Sequence, residues 1–255
     1  MNETEIIYNK YSKNIYNLAY RMTGDKEDAL DITQETFIQA FKSLDKFKGE
    51  SQIYTWLYKI TKNKCLRFLD RKKKSSFKSL EELVNNYGEP VSEEIAETEK
   101  WTYIHQVKDG CLSGLLRCLS LQQRMAFILN VLLNLPVNHV ARVIDKSENA
   151  TRILIYRSKE NLKSFLCNNC TLYDPQNKCR CESLINFSLK QNWIDLNSKS
   201  YYIEQAETEI KSLKNVVGLY QTLHELTPTN GFEKKIRQML ADNEDFLILS
   251  DKKVK

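Results

Sequence analysis

Apolar residues recur every three or four positions through most of this chain, the mark of amphipathic helices. In IIYNKYSKNIYNLAYRM that spacing predicts a first helix, ended by the turn signal Thr23-Gly24-Asp25. KEDALDITQETFIQAFKSL predicts a second, with Leu30, Phe37, Phe41 and Leu44 along one stripe. After DKFKGES, the stretch QIYTWLYKITKNKCLRFLDRKKK predicts a third, with a core stripe of Ile53, Trp56, Leu57 and Ile60. Residues 75–100 break the pattern: they are acidic, contain several serines and hold a Gly-Glu-Pro interruption. That segment is expected to be a linker with one short helix. Helical spacing resumes over 101–166 in several short pieces, and again over 183–217 and 231–249, which are separated by LTPTNG. With only 7 Gly and 4 Pro in 255 residues, the fold class expected is all-α.

Charge divides the chain along the same lines. The net charge is +5, but residues 1–75 and 109–166 are basic, 76–108 acidic and 167–255 balanced. A basic, acidic, basic layout fits two nucleic-acid-facing modules on a solvated linker, and it also fits ordinary surface variation. No apolar run long enough to span a bilayer occurs, and no secretory signal opens the sequence. The expected compartment is therefore the cytoplasm, where disulfides are disfavoured. There is no P-loop, no paired acid and base carboxylates and no Ser/His/Asp layout, so an enzyme is not expected.

The third predicted helix carries the first candidate chemistry. Opposite its core stripe stand Tyr54, Tyr58, Lys59 and Lys62, with further basic residues to Lys74. Rings interleaved with positive charge suit single-stranded DNA, because rings stack on bases while lysines neutralise phosphates. A solvated basic helix with partly buried aromatics would show the same pattern. The preceding FKGES loop offers a glycine for close backbone approach and short polar groups for a base edge. On the second helix Asp28, Asp31 and Glu35 form an acidic edge. That edge suits a basic protein partner, or equally a match to the helix dipole.

DITQETFIQAFKSLDKFKGESQIYTWLYKITKN resembles conserved region two of the sigma-70 family, in its small extracytoplasmic-function (ECF) group. The resemblance spans about residues 5–75. It implies that Asp31, Gln34, Glu35 and Phe37 dock on the clamp of the largest RNA polymerase subunit. It further implies that Lys48, Gly49, Ser51, Tyr54, Tyr58, Lys59, Lys62 and Asn63 hold the non-template strand of the promoter's minus-ten element, with one base flipped into the loop. Arg67 departs from the family, which more often has an acidic or small polar residue there.

Residues 119–164 predict a helix-turn-helix: about eight residues from Pro136, a turn at Asp145–Ser147, then a longer helix capped by Ser147. On that second helix Thr151, Ile155, Ser158 and Leu162 share an inner face. Asn149, Arg152, Ile153, Tyr156, Arg157 and Glu160 share the outer one, the side a recognition helix turns to the major groove. Residues 109–164 resemble region four of the same family, which implies that Arg152, Tyr156, Arg157 and Lys159 meet the minus-thirty-five element. Relative to the family, Asp145 replaces a frequent glycine at the turn and Lys146 an apolar residue. Ile153 and Leu154 replace polar or basic ones.

Past the helix-turn-helix comes CNNCTLYDPQNKCRC, in which Cys167, Cys170, Cys179 and Cys181 could surround one ion. One structural zinc in a tetrahedral thiolate shell is the expected cofactor. A redox-sensing thiol cluster, activated by Lys178 and Arg180, is the second reading, and unbound buried cysteines the third. Cys65, Cys111 and Cys118 fall on apolar helix faces and are expected in the core. No basic reading helix follows the cluster, so it is not expected to read DNA.

The organisation expected is thus region two over 1–75, an acidic linker over 76–108, region four over 109–166, and a cysteine-bearing helical extension over 167–255. The resemblance implies an initiation factor whose partners are core RNA polymerase and promoter DNA. It leaves room for an anti-sigma factor as a further partner. The competing reading is a stand-alone helix-turn-helix regulator with a metal- or redox-sensing cluster.

Overall fold

In a computed structural model of the protein, residues 3–47, 49, 51–69, 80–82, 97–190 and 194 are described. Among them every regular element is helical, as the spacing predicts, apart from one isolated bridge pairing. The order is α1 (Glu3–Thr23), α2 (Lys26–Lys42), a 3-10 turn (Leu44–Lys46), α3 (Ile53–Leu69), α4 (Glu97–Cys118) and α5 (Leu121–Phe127), which runs into a π-helical turn (Ile128–Leu132). There follow α6 (Val137–Ile144), α7 (Glu148–Asn169), a 3-10 turn (Glu182–Leu184) and α8 (Ile185–Lys190). No helix among the described residues is long and apolar enough to cross a membrane.

The chain gathers into two compact units. One holds the described parts of Met1–Lys72 and Ile128–Arg152; the other holds those of Lys73–Phe127 and Ile153–His224. In the first, the predicted α1–α2 turn is built by Gly24, in the left-handed region at φ 79, and by Asp25. The Asp25 carboxylate accepts from the amides of Glu27 at 2.9 Å and Asp28 at 3.0 Å, which satisfies two otherwise unpaired donors at the start of α2. Tyr8, Ile15, Leu18 and Met22 of α1 close on Phe37 of α2 and Leu57 of α3. Each such side chain contributes roughly 1.5–3 kcal/mol by leaving water. Polar Thr33 and Thr36 enter this core because their hydroxyls donate to the carbonyls of Ala29 at 2.6 Å and Ile32 at 2.7 Å.

α3 is packed from two directions, by α1 and α2 on one side and by α6 on another. One apolar stripe cannot serve both, and the buried set on α3 accordingly includes Thr55, Tyr58, Thr61, Lys62 and Cys65 beside Leu57 and Ile60. Ile53 and Trp56, expected in the stripe, are half-buried.

In the second unit α4 buries Tyr103 and Val107 against Leu184, Ile185 and Ile194, with Cys179, Cys181 and Leu189 packed around them. An ion pair joins Lys100 of α4 to Glu182. The expected linker over 76–108 is therefore too long by at least twelve residues' worth of helix at its far end: α4 already begins at Glu97. Charge suggested a solvated segment there, but Tyr103 and Val107, four apart, form a face that buries. Most of the remaining linker lies outside the described residues, as do 195–255 of the extension and the helix expected over 231–249.

Candidate nucleic-acid interfaces

The residues expected to form the single-strand face of α3 do not share one environment. Lys59 and Asn63 are exposed, Tyr54 and Ser51 half-buried, and Gly49 is exposed with a left-handed φ of 72 that disfavours any side chain there. Lys48 lies outside the described residues. Tyr58 and Lys62, expected on the open side, are buried at 3% and 7% exposure. This corrects the sequence expectation, and the physical reason is the double packing of α3. Tyr58 reaches back to α1, where it hydrogen-bonds to Asn14; burial pushes its hydroxyl up to about 12, with that bond opposing. Lys62 is covered from the α6 side, where its ammonium meets Asp145 at 2.5 Å.

The same carboxylate takes Lys59 at 2.6 Å. Partial burial would raise the Asp145 carboxyl, but hydrogen bonds from Lys59 and Lys62, and then their charges, outweigh it and hold the group below its ordinary 3.8. Nearby, the Tyr54 ring stacks on His139 of α6 with centroids 5.5 Å apart, and its hydroxyl is hydrogen-bonded to His139 Nδ1. The aromatic and basic face of α3 is thus engaged by α6 and the residue that follows it.

On α2, Asp31 and Glu35 are exposed and Gln34 half-buried, which keeps an acidic edge available. Glu35 is paired with Lys64 of α3 at 2.8 Å. Phe37 is not on that edge. It is 1% exposed and packs edge-on against Tyr8, with centroids 5.0 Å apart, so it supports the edge from within.

The helix-turn-helix forms as the sequence predicts. Pro136 caps α6, Asp145 closes it with a left-handed backbone at φ 55, and the Ser147 hydroxyl accepts from the Ala150 amide at 3.2 Å to open α7. Thr151, Ile155, Ser158 and Leu162 are buried on the inner face. Outside, Asn149, Arg152 and Arg157 are exposed and Lys159 half-exposed. Ile153 and Tyr156 are open at 49% and 64%, two of the few large apolar side chains so exposed among the described residues. Arg152 pairs with Glu148 one turn back at 3.1 Å, a surface pair that tethers the guanidinium loosely.

Comparison with known proteins fits this architecture. The Sigma-70 region 2 family matches residues 7–75, a stretch that includes most of α1 and all of α2 and α3. The ECF RNA polymerase sigma factor BldN of Streptomyces coelicolor is 29% identical over 162 residues, covering 63% of this chain and 59% of that protein. The ECF RNA polymerase sigma factor SigG of Mycobacterium tuberculosis is 26% identical over 176 residues, 60% of this chain and 46% of that one. The ECF RNA polymerase sigma-E factor of Salmonella typhimurium is 30% identical over 136 residues, 52% of this chain and 71% of that protein. The chain belongs to the ECF sigma factors. It spans only about half the length of the first two of these relatives.

In this ECF sigma factor the cysteine motif begins inside α7, whose last turn includes Cys167, and the rest forms a loop after Asn169. The loop is wound by hydrogen bonds: Cys170 and Cys179 form a parallel bridge pair, Cys179 N donates to Asn169 O and Thr171 N to Cys179 O, both at 3.1 Å. The Asn177 amide donates to the carbonyls of Cys167 at 2.9 Å and Cys170 at 3.1 Å. Of the four motif cysteines, Cys170, Cys179 and Cys181 lie near enough to Cys111 of α4 to add, after burial, to the rise of its thiol, whereas the Cys167 thiol is hydrogen-bonded to the Tyr173 hydroxyl. All seven cysteines are free thiols. Among the described residues no three His, Cys, Asp or Glu side chains stand close enough together to hold a metal ion. Burial raises the Cys170 thiol, and it pushes Cys179 up to about 11 and Cys181 well above its usual range. The activation expected from Lys178 and Arg180 is overridden by desolvation, for both basic side chains are exposed to water. Cys65 is buried as expected, and Cys111 and Cys118 are half-buried. The proximity of Cys111 to these thiols was hidden from the sequence, since they lie about sixty to seventy residues away along the chain.

Proposed function

We propose that this protein directs core RNA polymerase to promoters and assists strand opening, acting by binding and positioning rather than by catalysis, in the cytoplasm. The observation that carries this reading is the outer face of α7. It presents Asn149, Arg152, Ile153, Tyr156 and Arg157 to solvent while the opposite face is buried. Arginine can take a guanine edge bidentately, an apolar group can meet a thymine methyl, and Lys159 and Arg157 can neutralise phosphates. In this reading α7 sits on the minus-thirty-five element. The Gly49–Ser51 loop with Tyr54, Lys59 and Asn63 receives the unpaired minus-ten strand, and the Asp31/Glu35 edge of α2 meets a basic surface of the polymerase. Unstacking a base costs a few kcal/mol, which ring stacking and phosphate neutralisation in such a groove offset.

Run-off transcription with core polymerase and the full chain tests the proposal. Discrete promoter-dependent transcripts are expected. Their absence, together with no co-elution of the chain with polymerase, would overturn it. Duplex binding without any polymerase effect would favour a stand-alone regulator instead.

A further inference from the structure

The contact between α3 and α6 has a chemical resemblance to the ligand that α3 is read as binding. Asp145 presents an anionic oxygen to Lys59 at 2.6 Å and to Lys62 at 2.5 Å, as a phosphate would. His139 presents a flat heteroaromatic ring to Tyr54, stacked at 5.5 Å and 27° and hydrogen-bonded to its hydroxyl, as a base would. Tyr54, Lys59 and Lys62 are three of the residues through which α3 would hold a single strand.

Two further observations separate this contact from incidental packing. First, Asp145 sits at φ 55, a left-handed backbone that glycine would take without strain and Asp takes at a small cost, and the conformation carries its carboxylate onto Lys59 and Lys62. Second, the apolar part of the contact already exists without it, because Val140, Ala141, Val143 and Ile144 of α6 are buried. The polar groups are therefore not required to cover the helix, and they fall on the nucleic-acid residues.

We propose that Asp145 and His139 form an internal stand-in for DNA, which keeps the single-strand face of α3 occupied until an unpaired strand displaces it. The inference rests on reading α3 as the minus-ten face, and it adds that the free chain is closed. A strand must compete with the internal carboxylate and imidazole, so its apparent affinity is reduced by the fraction of chain that is open.

Two measurements on the full chain test this. Zero-length carbodiimide coupling, read by peptide mass spectrometry, should join Asp145 to Lys59 or Lys62. A saturating mixed-sequence single-stranded oligonucleotide should reduce that product several-fold. In fluorescence anisotropy with the same oligonucleotide, D145N should bind about fivefold or more tightly than the parent chain. E27Q, the same charge change on an exposed carboxylate of α2, should gain less than about twofold, which sets the scale for a merely global electrostatic effect. The proposal fails if no Asp145–lysine product forms, if the oligonucleotide leaves that product unchanged, or if D145N and E27Q gain equally. It fails too if neither parent nor D145N binds the strand; run-off transcription then tells whether the sigma-factor reading falls with it.

Discussion

α3 and α7 have the same kind of outward chemistry, lysines or arginines interleaved with tyrosine, and they stand in opposite conditions. On α7 the basic and aromatic groups lie open beyond a single buried stripe. On α3 they are engaged: Tyr58 against α1, Lys62 and Lys59 on Asp145, and Tyr54 on His139. A helix packed on one side leaves its polar face to solvent, whereas a helix packed on two sides must bury polar residues and give each a partner. Similar composition thus yields a surface that is ready to bind and one that must first be uncovered.

The largest expected effect tests the double packing. Leu57→Ala, at the centre of α3, should destabilise the first unit by about 2–5 kcal/mol in denaturant titration. Ile153→Ala on the open face of α7 should stay within about 0.5 kcal/mol. Equal losses would erase the distinction between the two helices. Next comes reactivity. Because burial pushes the Cys179 thiol from 9.0 to about 11, its thiolate at pH 8 is scarcer by about 100-fold. Iodoacetamide should label it at least that much more slowly than a free thiol standard, gaining about tenfold per pH unit below pH 11. Rapid labelling at pH 8 would favour the redox reading.

On α7, Arg152→Ala or Tyr156→Ala should weaken binding to promoter duplex by about 1–3 kcal/mol while the melting curve holds still. A similar binding loss accompanied by unfolding would make this face structural after all. The smallest effect concerns Asp145. Asn keeps the left-handed backbone and removes the charge, so D145N should lower stability by about 1 kcal/mol or less. The sign with pH follows from the depressed carboxyl. The ion pairs' contribution is fully present above the ordinary value of 3.8 and is lost as pH falls through the lower folded value. The difference in melting temperature between parent and D145N should therefore be flat from pH 8 to pH 5 and shrink only in stronger acid.

The helix-turn-helix was legible almost residue by residue, because its signals are local: Pro136 fixes the start of α6, Ser147 caps α7, and one apolar stripe defines the inner face of α7. The α1–α2 turn was legible for the same reason. Tyr58 and Lys62 were misplaced because each is buried by an element far away in sequence, and periodicity reports the existence of a buried face without naming all its neighbours; Phe37 stood on the apolar stripe of α2 and was put on the docking edge by the family resemblance alone. The start of α4 was read from spacing to within four residues, and only the boundary of the acidic linker, drawn at 108 by charge, ran into the helix. The proximity of Cys111 to Cys170, Cys179 and Cys181 is a purely spatial fact.

Asn177 has a consequence for how much the cysteine loop can vary. Its amide gathers carbonyls at the end of α7, and the bridge between Cys170 and Cys179 uses backbone groups alone. The turn is therefore closed by the side chains of Asn177, Thr171 and Asp174 together with a few peptide groups, with no covalent link to shorten the unfolded chain's reach. Asn177 therefore ties the loop to the end of α7 through three carbonyls at once, a role that none of the sulfur atoms takes in these hydrogen bonds.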